Sequence, residues 1–487
     1  MRDAIALQTR SNPDATALVD AATDASWTFR ELDADVKETA GRLAACGVQR
    51  GDRVAVLMEN RPAFVRLAFA CARLGAVLVP LNARLATPEL RAQAERVDPV
   101  LVVYEADTAD PARELPVPAV SVDAGGNVEH FGARSPDAVE PADLSWTDTR
   151  AVIFTSGTTG DPKAVRLTYA NFAASAVASA FRLGVLPEDS WLCPLSLYHM
   201  GGLSVVLRSA LYGTTAVLAR GFDADDVRDA LATHHCTGVS LVPTMLSRLL
   251  DAGGVPDTLR FALVGGAPTP PELVERALDS GVPVCPTFGM TETTSQVATL
   301  HATEARDRPD SSGRPLLGTE VAVVGEDGNV LPAGETGELV VSGPTVTPGY
   351  LSADANDERF CEHGLRTGDF GFVDAEGFLH VGGRQTDQIV TGGENVHPEE
   401  VAAVLRDHTA VGDAAVVGVP DEEWGERVAA LVVPEGDVTT DDLRAFCEDR
   451  LAGYKHPRTI VFGDEIPRTA SGTVDREAVR SMLADEN

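Results

Sequence analysis

Lysine is nearly absent from this chain. Among 487 residues it occurs only at Lys37, Lys163 and Lys455, and 73 Asp+Glu face 40 Lys+Arg for a formal net charge of -33. Nucleic acid binding is disfavoured, since a chain without a basic stripe cannot neutralise phosphates. A surface this acidic is typical of a halophile, because molar salt screens the self-repulsion that otherwise destabilises the folded state. Replacement of lysine by arginine in a GC-rich genome is the alternative, but it does not explain the excess acid.

Clustered cysteines and long apolar runs are also missing. The seven cysteines form no C-x-x-C pair and no cluster with histidine, which disfavours disulfide frameworks and zinc sites. The first residues lack the apolar segment of a signal peptide, and Arg73 and Arg208 interrupt the most apolar stretches before they reach a spanning length. We therefore expect a reduced, cytoplasmic protein without a membrane span. A homo-oligomer is compatible with the sequence.

The pattern of apolar residues predicts an α/β protein of two or three structural units. Arg53 to Met58 reads as a buried strand, Pro62 to Leu74 as a helix and Ala76 to Leu81 as a second strand, which together form a β-α-β unit. After about residue 315 the chain changes to short strands with glycine turns, which indicates a β-rich subdomain. A short polar segment near residues 382–387 precedes a last hundred residues with an α+β pattern. Such a linker is where a hinge is expected.

A loop rich in hydroxyls and glycine follows the strand-like Ala151 to Phe154. It consists of Thr155, Ser156, Gly157, Thr158, Thr159 and Gly160, followed by Lys163. Glycines let backbone amides approach a polyphosphate, hydroxyls donate further hydrogen bonds, and the lysine adds a positive charge. The loop is not a Walker motif, because the lysine comes three residues after the last glycine. A surface turn is the alternative, but it leaves unexplained why one of only three lysines lies here.

Two further segments could contact a nucleotide bound to Mg²⁺. In the run Thr287, Phe288, Gly289, Met290, Thr291 and Glu292, the carboxylate is suited to Mg²⁺ and Thr291 to the α-phosphate. The alternative is a strand that turns into a helix with a threonine cap. The run Gly265, Gly266, Ala267 and Pro268 is either a turn or a backbone surface against which a purine packs.

A third segment, from Arg366 to Gly371, contains Asp369, which could accept hydrogen bonds from both ribose hydroxyls. A turn between two strands is the alternative interpretation. Downstream, Arg384 adds a cation, and Gly393 and Glu394 belong to a glycine-rich loop.

The order and spacing of these motifs resembles the adenylate-forming superfamily of acyl-CoA synthetases, luciferases and peptide-synthetase adenylation domains, over essentially the whole chain. The resemblance implies a large N-terminal domain (1–383) of two α/β subdomains and a β-barrel-like part, a hinge (384–387) and a small mobile α+β domain (388–487). It implies an ATP-dependent ligase that uses Mg²⁺ and coenzyme A and forms an acyl-adenylate. In that reading the loop ending at Lys163 holds the phosphates, and Thr291 and Glu292 serve the α-phosphate and Mg²⁺. Asp369 and Arg384 hold the ribose, Gly265 to Pro268 lie along adenine, and Gly393 and Glu394 help to form the pantetheine tunnel.

The chain departs from the family pattern at Thr473. The family's last motif usually ends in glycine and lysine, and that lysine bridges the carboxylate and the α-phosphate, whereas this chain has Gly472 followed by Thr473. Losing one such donor costs about 10² to 10³ in rate. We therefore expect slow adenylation, or a substitute among Arg468, Arg476 and Lys455.

The segment from Leu183 to Arg220 resembles the branch of the family that activates 2-succinylbenzoate for menaquinone synthesis. Such a substrate requires a pocket for an aromatic ring and a second carboxylate, for which Arg84 is the candidate partner, with a helix-capping arginine as the alternative. His199 is a candidate gate or neighbour of the carboxylate, with a structural histidine as the alternative, and Ser295 lies in a matching segment. Other readings are a CoA ligase for another aromatic or medium- to long-chain acid, and an adenylate-binding protein with weak ligase activity.

Overall fold

A computed structural model of the protein describes residues 3–125, 130–155, 163–352, 356, 359–384, 389–391, 394–396, 398–421, 424–448, 450–451, 453–469 and 473–484. The helices are α1 (Ala4–Ser11), α2 (Phe29–Ala45), α3 (Pro62–Leu74), α4 (Thr87–Val97), α5 (Ala109–Glu114), α6 (Tyr169–Leu183), α7 (Met200–Tyr212), α8 (Ala224–Thr233), α9 (Pro243–Asp251), α10 (Pro271–Asp279), α11 (Ala302–Ala305), α12 (Pro398–Arg406), α13 (Thr440–Glu448) and α14 (Arg476–Ala484). Short 3₁₀ turns occur at Ala106–Thr108, Phe131–Ala133, Thr291–Thr293 and Gly453–Lys455.

The strands belong to four sheets. In chain order they are β1 (Thr16–Asp20), β2 (Ala25–Thr28), β3 (Arg53–Leu57), β4 (Val77–Leu81), β5 (Leu101–Tyr104), β6 (Ala119–Ser121), β7 (Thr149–Thr155), β8 (Lys163–Thr168), β9 (Ser190–Cys193), β10 (Thr215–Leu218), β11 (Gly238–Leu241), β12 (Phe261–Val264), β13 (Val284–Phe288), β14 (Ala298–Thr299), β15 (Arg314–Pro315), β16 (Glu320–Val324), β17 (Gly337–Ser342), β18 (Phe360–Cys361), β19 (Gly364–Val373), β20 (Leu379–Arg384), β21 (Ile389–Thr391), β22 (Glu394–Val396), β23 (Val411–Asp421), β24 (Gly425–Pro434) and β25 (Thr459–Phe462).

Two largely parallel sheets form the first part of the molecule. One has the order β6-β5-β3-β4-β7-β8 and the other β15-β14-β13-β12-β11-β9-β10-β1-β2. Their strands are continuous apolar runs, as expected for parallel strands covered by helices on both faces. Leu18 and Leu263 of the larger sheet share one hydrophobic core with Val54 and Val56 of the smaller sheet. The two sheets therefore pack as one structural unit.

Local sequence explains why α3 begins and ends where it does. Pro62 occupies its first turn, where the missing amide hydrogen costs nothing, and Gly75 ends it with a φ of 73°. Nearly all faces of α3 are buried, because it lies in the core between the two sheets. The predicted helix over these residues is confirmed.

The remaining sheets are the β-rich and C-terminal parts predicted from the sequence. Strands β16 to β20 form an antiparallel sheet, and β21 to β25 form a mixed sheet. In β23, Ala414 and Val416 share one apolar cluster with α12, whereas Ala415 and Val417 share another with α14, which is the period of two expected of a strand covered on both faces. The predicted fold class, α/β with a smaller α+β C-terminal part, is confirmed.

Some predicted boundaries shift. The pattern of short strands and glycine turns after residue 315 predicts a strand from Gly377 to Val381, but the strand begins at Leu379, because Gly377, with a φ of 85°, forms the preceding turn. Strand β20 continues to Arg384, so the first residue of the predicted hinge lies within a strand. In the part of the chain that the structure describes, no helix is both long enough and apolar enough to traverse a bilayer.

Candidate active site

The loop between β7 and β8 is anchored at both ends by a hairpin. Thr155 lies directly opposite Lys163 in this antiparallel pair, so the two ends of the hydroxyl-rich loop are neighbours. The positions Ser156, Gly157, Thr158, Thr159 and Gly160 lie outside the described residues. The structure thus places the predicted lysine at the mouth of the loop.

Tyr350 connects Lys163 to Glu292. The segment that carries Tyr350 pairs with β8: the amide of Leu351 donates to the carbonyl of Ala164 at 3.0 Å, and Tyr350 lies opposite Val165. This places the Lys163 Nζ 5.7 Å from the centroid of the Tyr350 ring. The Tyr350 hydroxyl donates to Glu292 Oε1 at 2.9 Å. Three residues that are distant in the chain therefore form one cluster, of which sequence reasoning missed the tyrosine.

Glu292 is a buried carboxylate, only 5% exposed, in the 3₁₀ turn Thr291–Thr293. Its backbone carbonyl accepts from the amide of Thr347 at 2.7 Å, which fixes the turn. Burial, followed by the charge of Glu292 and the hydrogen bond to it, raises the pKa of Tyr350. The proton therefore remains on the tyrosine, which donates its hydrogen bond to Glu292 Oε1.

The backbone is strained two and three residues after Glu292. Thr294 has a φ of 56° and Ser295 a φ of 90°, values that side chains adopt at a cost of about 1–3 kcal/mol each. The carbonyl oxygen of Ser295 lies so close to Gly289 that a Cβ at residue 289 would collide with it. Thr291 is half-buried. The alternative of a threonine-capped helix is wrong, because the chain makes a single 3₁₀ turn and then reverses.

The segment Gly265, Gly266, Ala267 and Pro268 follows β12 at the carboxyl edge of the larger sheet. A Cβ on Gly265 would lie 2.6 Å from Cγ2 of Thr287, so glycine is required where the neighbouring strands end. Gly266 adopts a φ of 83°. Half-buried Thr287 and Phe288 end β13 beside this segment. The carboxyl ends of parallel strands are where open α/β sheets bind ligands.

Asp369 lies within β19 rather than in a turn. It is 8% exposed, its amide donates to Thr367 Oγ1 at 3.0 Å, and it lies opposite Arg384 in β20. The alternative of a turn between strands is therefore wrong. The two residues assigned to the ribose are directly paired across an antiparallel ladder.

Arg84 and His199 lie near each other. Arg84 lies between β4 and α4 and approaches Glu59 Oε1 at 3.5 Å, with 57% of its side chain exposed. Helix α4 has Ala86 at its N-cap position, so Arg84 does not occupy the cap. His199 is an exposed residue, yet neighbouring protein atoms partly desolvate its ring. Desolvation, with a smaller effect of the Arg84 charge, lowers its pKa.

The surroundings of His199 differ from those of a structural histidine. Within the described residues no hydrogen bond reaches its ring, which instead meets the Tyr198 ring edge-on at 4.8 Å. A neutral imidazole at the N-terminus of α7 can still accept a hydrogen bond from a ligand.

Comparison with known proteins identifies the family. Residues 5–351 match the model of the AMP-binding enzyme family, and residues 400–473 match that of the AMP-binding enzyme C-terminal domain. The chain belongs to the AMP-binding enzyme family. It is 39% identical over 477 residues to the 2-succinylbenzoate–CoA ligase of Bacillus cereus (strain Q1), which covers 97% of each chain.

Solved structures are also similar to this AMP-binding enzyme. One is the o-succinylbenzoate CoA synthetase of Bacillus subtilis in complex with its acyl-adenylate intermediate, at 36% identity and a TM-score of 0.91, covering 100% of this chain and 99% of that one. The same synthetase with ATP and a magnesium ion gives 35% identity and a TM-score of 0.89, covering 100% of both chains. The resemblance inferred from the sequence motifs is confirmed.

The C-terminal part of this AMP-binding enzyme places Thr473 beside Thr469. The amide of Thr469 donates to the Thr473 carbonyl at 2.8 Å, and their hydroxyls lie 2.7 Å apart. Of the possible substitutes for the family lysine, Arg468 pairs with Asp413 at 2.8 Å and Lys455 with Glu400 at 2.6 Å. Both cations are thus engaged within the C-terminal part. Gly393 lies outside the described residues, and Glu394 begins β22.

Proposed function

We propose that this AMP-binding enzyme joins 2-succinylbenzoate to coenzyme A in an ATP-dependent reaction that releases AMP and diphosphate, a step of menaquinone biosynthesis. The observation that carries the proposal is the full-length similarity to a synthetase whose structure contains the acyl-adenylate of this acid. The cluster of Lys163, Tyr350 and Glu292 supports it, since the cation is placed at the mouth of the loop assigned to the phosphates.

The proposed chemistry has two steps. A carboxylate oxygen of the acid attacks the α-phosphorus of ATP, and the bond from that phosphorus to the bridging oxygen breaks, releasing diphosphate. The sulfur of coenzyme A then attacks the acyl carbon, its proton is lost, and AMP leaves. Both steps develop negative charge on phosphate oxygens, which Lys163 and the donors around Thr155 and Thr291 would stabilise. Asp369 and Arg384 would hold the ribose, and the Gly265 segment with Phe288 would lie along adenine.

Glu292 fits a ligand of Mg²⁺. Its Oε1 is held by Tyr350, while Oε2 has no hydrogen-bond partner among the described residues. The described part of the chain contains no group of three or more His, Cys, Asp or Glu side chains that could hold a metal, and Mg²⁺ bound with ATP commonly needs only one or two carboxylates plus phosphate oxygens. The ion would supply positive charge to the departing diphosphate.

The two halves of the reaction require two arrangements of the chain. We propose that residues 1–383 bind ATP and the acid, that residues 384–387 act as a hinge, and that residues 388–487 move as one domain. That motion would bring Gly393 and Glu394 to the pantetheine arm for the second step. In the first step Thr473 would lie where relatives carry a lysine.

For the acid, we propose a pocket walled by His199 and Ser295, with Arg84 at its rim. Arg84 is exposed and already faces Glu59, so it would contribute a long-range positive potential more than a closed ion pair. Another aromatic or medium- to long-chain acid would fit the same pocket chemistry. The Thr473 substitution also supports a second candidate, an adenylate-binding protein with weak ligase activity.

Acid-dependent exchange of labelled pyrophosphate into ATP distinguishes these functions. We expect 2-succinylbenzoate to give the highest exchange rate in a panel of aromatic and fatty acids, and coenzyme A to convert the adenylate into a thioester detectable by mass spectrometry. Exchange only with other acids would redirect the substrate assignment. ATP binding by calorimetry without exchange for any acid would favour the adenylate-binding protein.

We also propose that the protein functions in the cytoplasm at high salt, since its formal net charge is -33. At low ionic strength the acidic surface repels itself, and screening at 1 M salt shortens the Debye length to about 3 Å. We expect the thermal unfolding midpoint to rise by about 3 °C between 0.1 and 2 M KCl, the shift that about 3 kcal/mol produces in a chain of this length. Equal midpoints at both concentrations would contradict the proposal. If screening alone acts, the unfolding midpoints in potassium chloride and in sodium sulfate should agree at equal ionic strength. Preferential exclusion would instead give a higher midpoint in sulfate.

A further inference from the structure

Helix α6 interrupts the acidic surface of the molecule. Residues 169–181 contain no charged side chain, and Arg182 is the only charged residue of the helix. With 73 Asp+Glu among 487 residues, a helix of 15 residues would on average carry about two of them. Apart from the short α1 and the largely buried α3 and α7, every helix in the described part of the chain carries at least one Asp or Glu.

The outer face of α6 is apolar. Phe181 is 76% exposed and Val177 is 52% exposed. Ala170 and Ala174, both half-buried, lie on the same side, because residues separated by four, seven and eleven positions share one face of a helix. A surface helix normally turns polar side chains to the solvent. Packing against the core explains the inner face of α6 but not this outer row.

Three further exposed apolar side chains flank the row. Trp146 lies at the N-terminal end of α6, where its carbonyl accepts from the amide of Ala170 at 2.9 Å. Exposed Leu211 ends α7, where the hydroxyl of Tyr212 donates to the backbone of α6 at 2.6 Å, and its carbonyl accepts from α1 beside exposed Leu7. A contiguous exposed apolar patch marks an interaction site. We call this surface the α6 patch, which consists of Leu7, Trp146, Ala170, Ala174, Val177, Phe181 and Leu211.

The row on α6 is complementary to itself. If two copies of the helix pack antiparallel about a two-fold axis between Ala174 and Val177, Ala170 lies opposite the partner's Phe181. The same axis places Ala174 opposite the partner's Val177. Each small residue then meets a large one, so the side chains of one helix fill the gaps of the other. A patch that matches a second copy of itself is what a two-fold symmetric interface requires.

The distribution of charge also favours a second copy of this chain. The same axis brings Arg182 opposite the partner's Tyr169. The Tyr169 amide donates to the carbonyl of Asp148 at 3.2 Å, so each end of the helix pair combines a cation with a carboxylate. Elsewhere two chains of formal net charge -33 repel each other. The α6 patch is therefore a surface across which two copies can approach with little repulsion.

We propose that the α6 patch is the interface of a two-fold symmetric dimer of this chain. The proposal does not rest on the proposed function. A stable interface buries about 800 Å² on each partner, and a helix of this length, about 22 Å, does not supply that area alone. Trp146, Leu7 and Leu211 therefore belong to the contact, which remains small. We expect a reversible dimer with a Kd of about 1 to 10 µM in 2 M KCl.

Salt should strengthen this dimer. The contact itself is apolar, whereas the remaining surfaces of the two copies repel each other over a Debye length of about 10 Å at 0.1 M salt and about 3 Å at 1 M. We expect the Kd to be at least about tenfold higher in 0.1 M than in 2 M KCl. A Kd that rises with salt would show an interface held by ion pairs and would overturn the proposal.

The Val177→Asp variant of the full chain tests the contact by sedimentation equilibrium. In the dimer the new carboxylate would be buried without an opposite charge, and we expect the Kd to rise about 100-fold. The matched control is Val330→Asp, since Val330 is also 52% exposed but lies between β16 and β17. This control should keep the wild-type Kd. Circular dichroism checks that both variants are folded.

Thiol cross-linking provides a second measurement that does not depend on weakening the dimer. Ala174→Cys, next to the two-fold axis, should give a covalent dimer with a short bifunctional maleimide, whereas Val330→Cys should not. Both variants carry Cys46→Ser and Cys361→Ser, because these two native thiols are only half-buried.

Three results would overturn the proposal. One is a wild-type chain that sediments as a monomer at about 100 µM in 2 M KCl, as it would if another protein or another part of this chain covered the patch. The second is a dimer that Val177→Asp leaves intact, because its contact lies on another face. The third is equal cross-linking of Ala174→Cys and Val330→Cys.

Discussion

The Glu292→Gln variant is expected to catalyse acid-dependent pyrophosphate exchange about 10² to 10³ times more slowly than the wild type. The amide retains the shape of the side chain and can still accept the hydrogen bond from Tyr350. It loses the negative charge that a divalent cation requires. Initial rates measured across a Mg²⁺ titration should show both a lower maximum and a higher half-saturating concentration.

Asp189→Asn is the matched control for Glu292→Gln. Asp189 is a carboxylate with 4% exposure that accepts from Arg260 and Thr237. It directly precedes β9 and so lies at the amino-terminal ends of the parallel strands, whereas the proposed site lies at their carboxyl ends. We expect this variant to lose thermal stability and to keep the wild-type dependence on Mg²⁺. A Glu292→Gln enzyme that also kept that dependence would exclude Glu292 as the metal ligand.

The Thr473→Lys variant is expected to accelerate adenylation by about 10²-fold, because it adds one donor where negative charge develops in the transition state. Thiolysis of a supplied acyl-adenylate should keep its rate, since the proposed motion of residues 388–487 removes position 473 from the site before that step. Rapid-quench measurements of the two half-reactions separate these effects. The prediction depends on the proposed hinge at residues 384–387.

Thr469→Lys provides the control for the added charge. Its hydroxyl lies 2.7 Å from that of Thr473, so both substitutions remove the same hydroxyl contact. Only position 473 corresponds to the family lysine, and we expect Thr469→Lys to leave adenylation unchanged. Equal acceleration by both variants would indicate a general electrostatic effect of lysine on an acidic protein. Equal acceleration of both half-reactions by Thr473→Lys would contradict the proposed division of labour.

Elements with strong local signals were predicted well. Pro62 and Gly75 define the ends of α3 through their own backbone preferences, and apolar runs such as Val77–Leu81 need no partner information to be recognised as strands. The position of Asp369 was harder to predict. Gly368 and Gly371 beside it suggest a turn, but a Cβ on Gly371 would collide with the carbonyl of His380. That glycine therefore serves the close approach of two strands rather than a reversal.

Tyr350 could not be found from the sequence because nothing local distinguishes it. Its role arises from pairing with β8, whose residue Val165 lies far earlier in the chain. A pattern search detects regular spacing and motifs, whereas this contact depends on how the β-rich part docks against the parallel sheet.

The strand pairing around Tyr350 has a consequence for how the molecule opens. The segment from Thr345 to Leu351 is bonded to Ala164, to Glu292 and to Thr294, so it cannot detach without releasing all three. Segments that lie far apart in the sequence therefore unfold together as one cooperative unit. Nucleotide bound at this junction would raise the opening free energy of the whole unit by mass action.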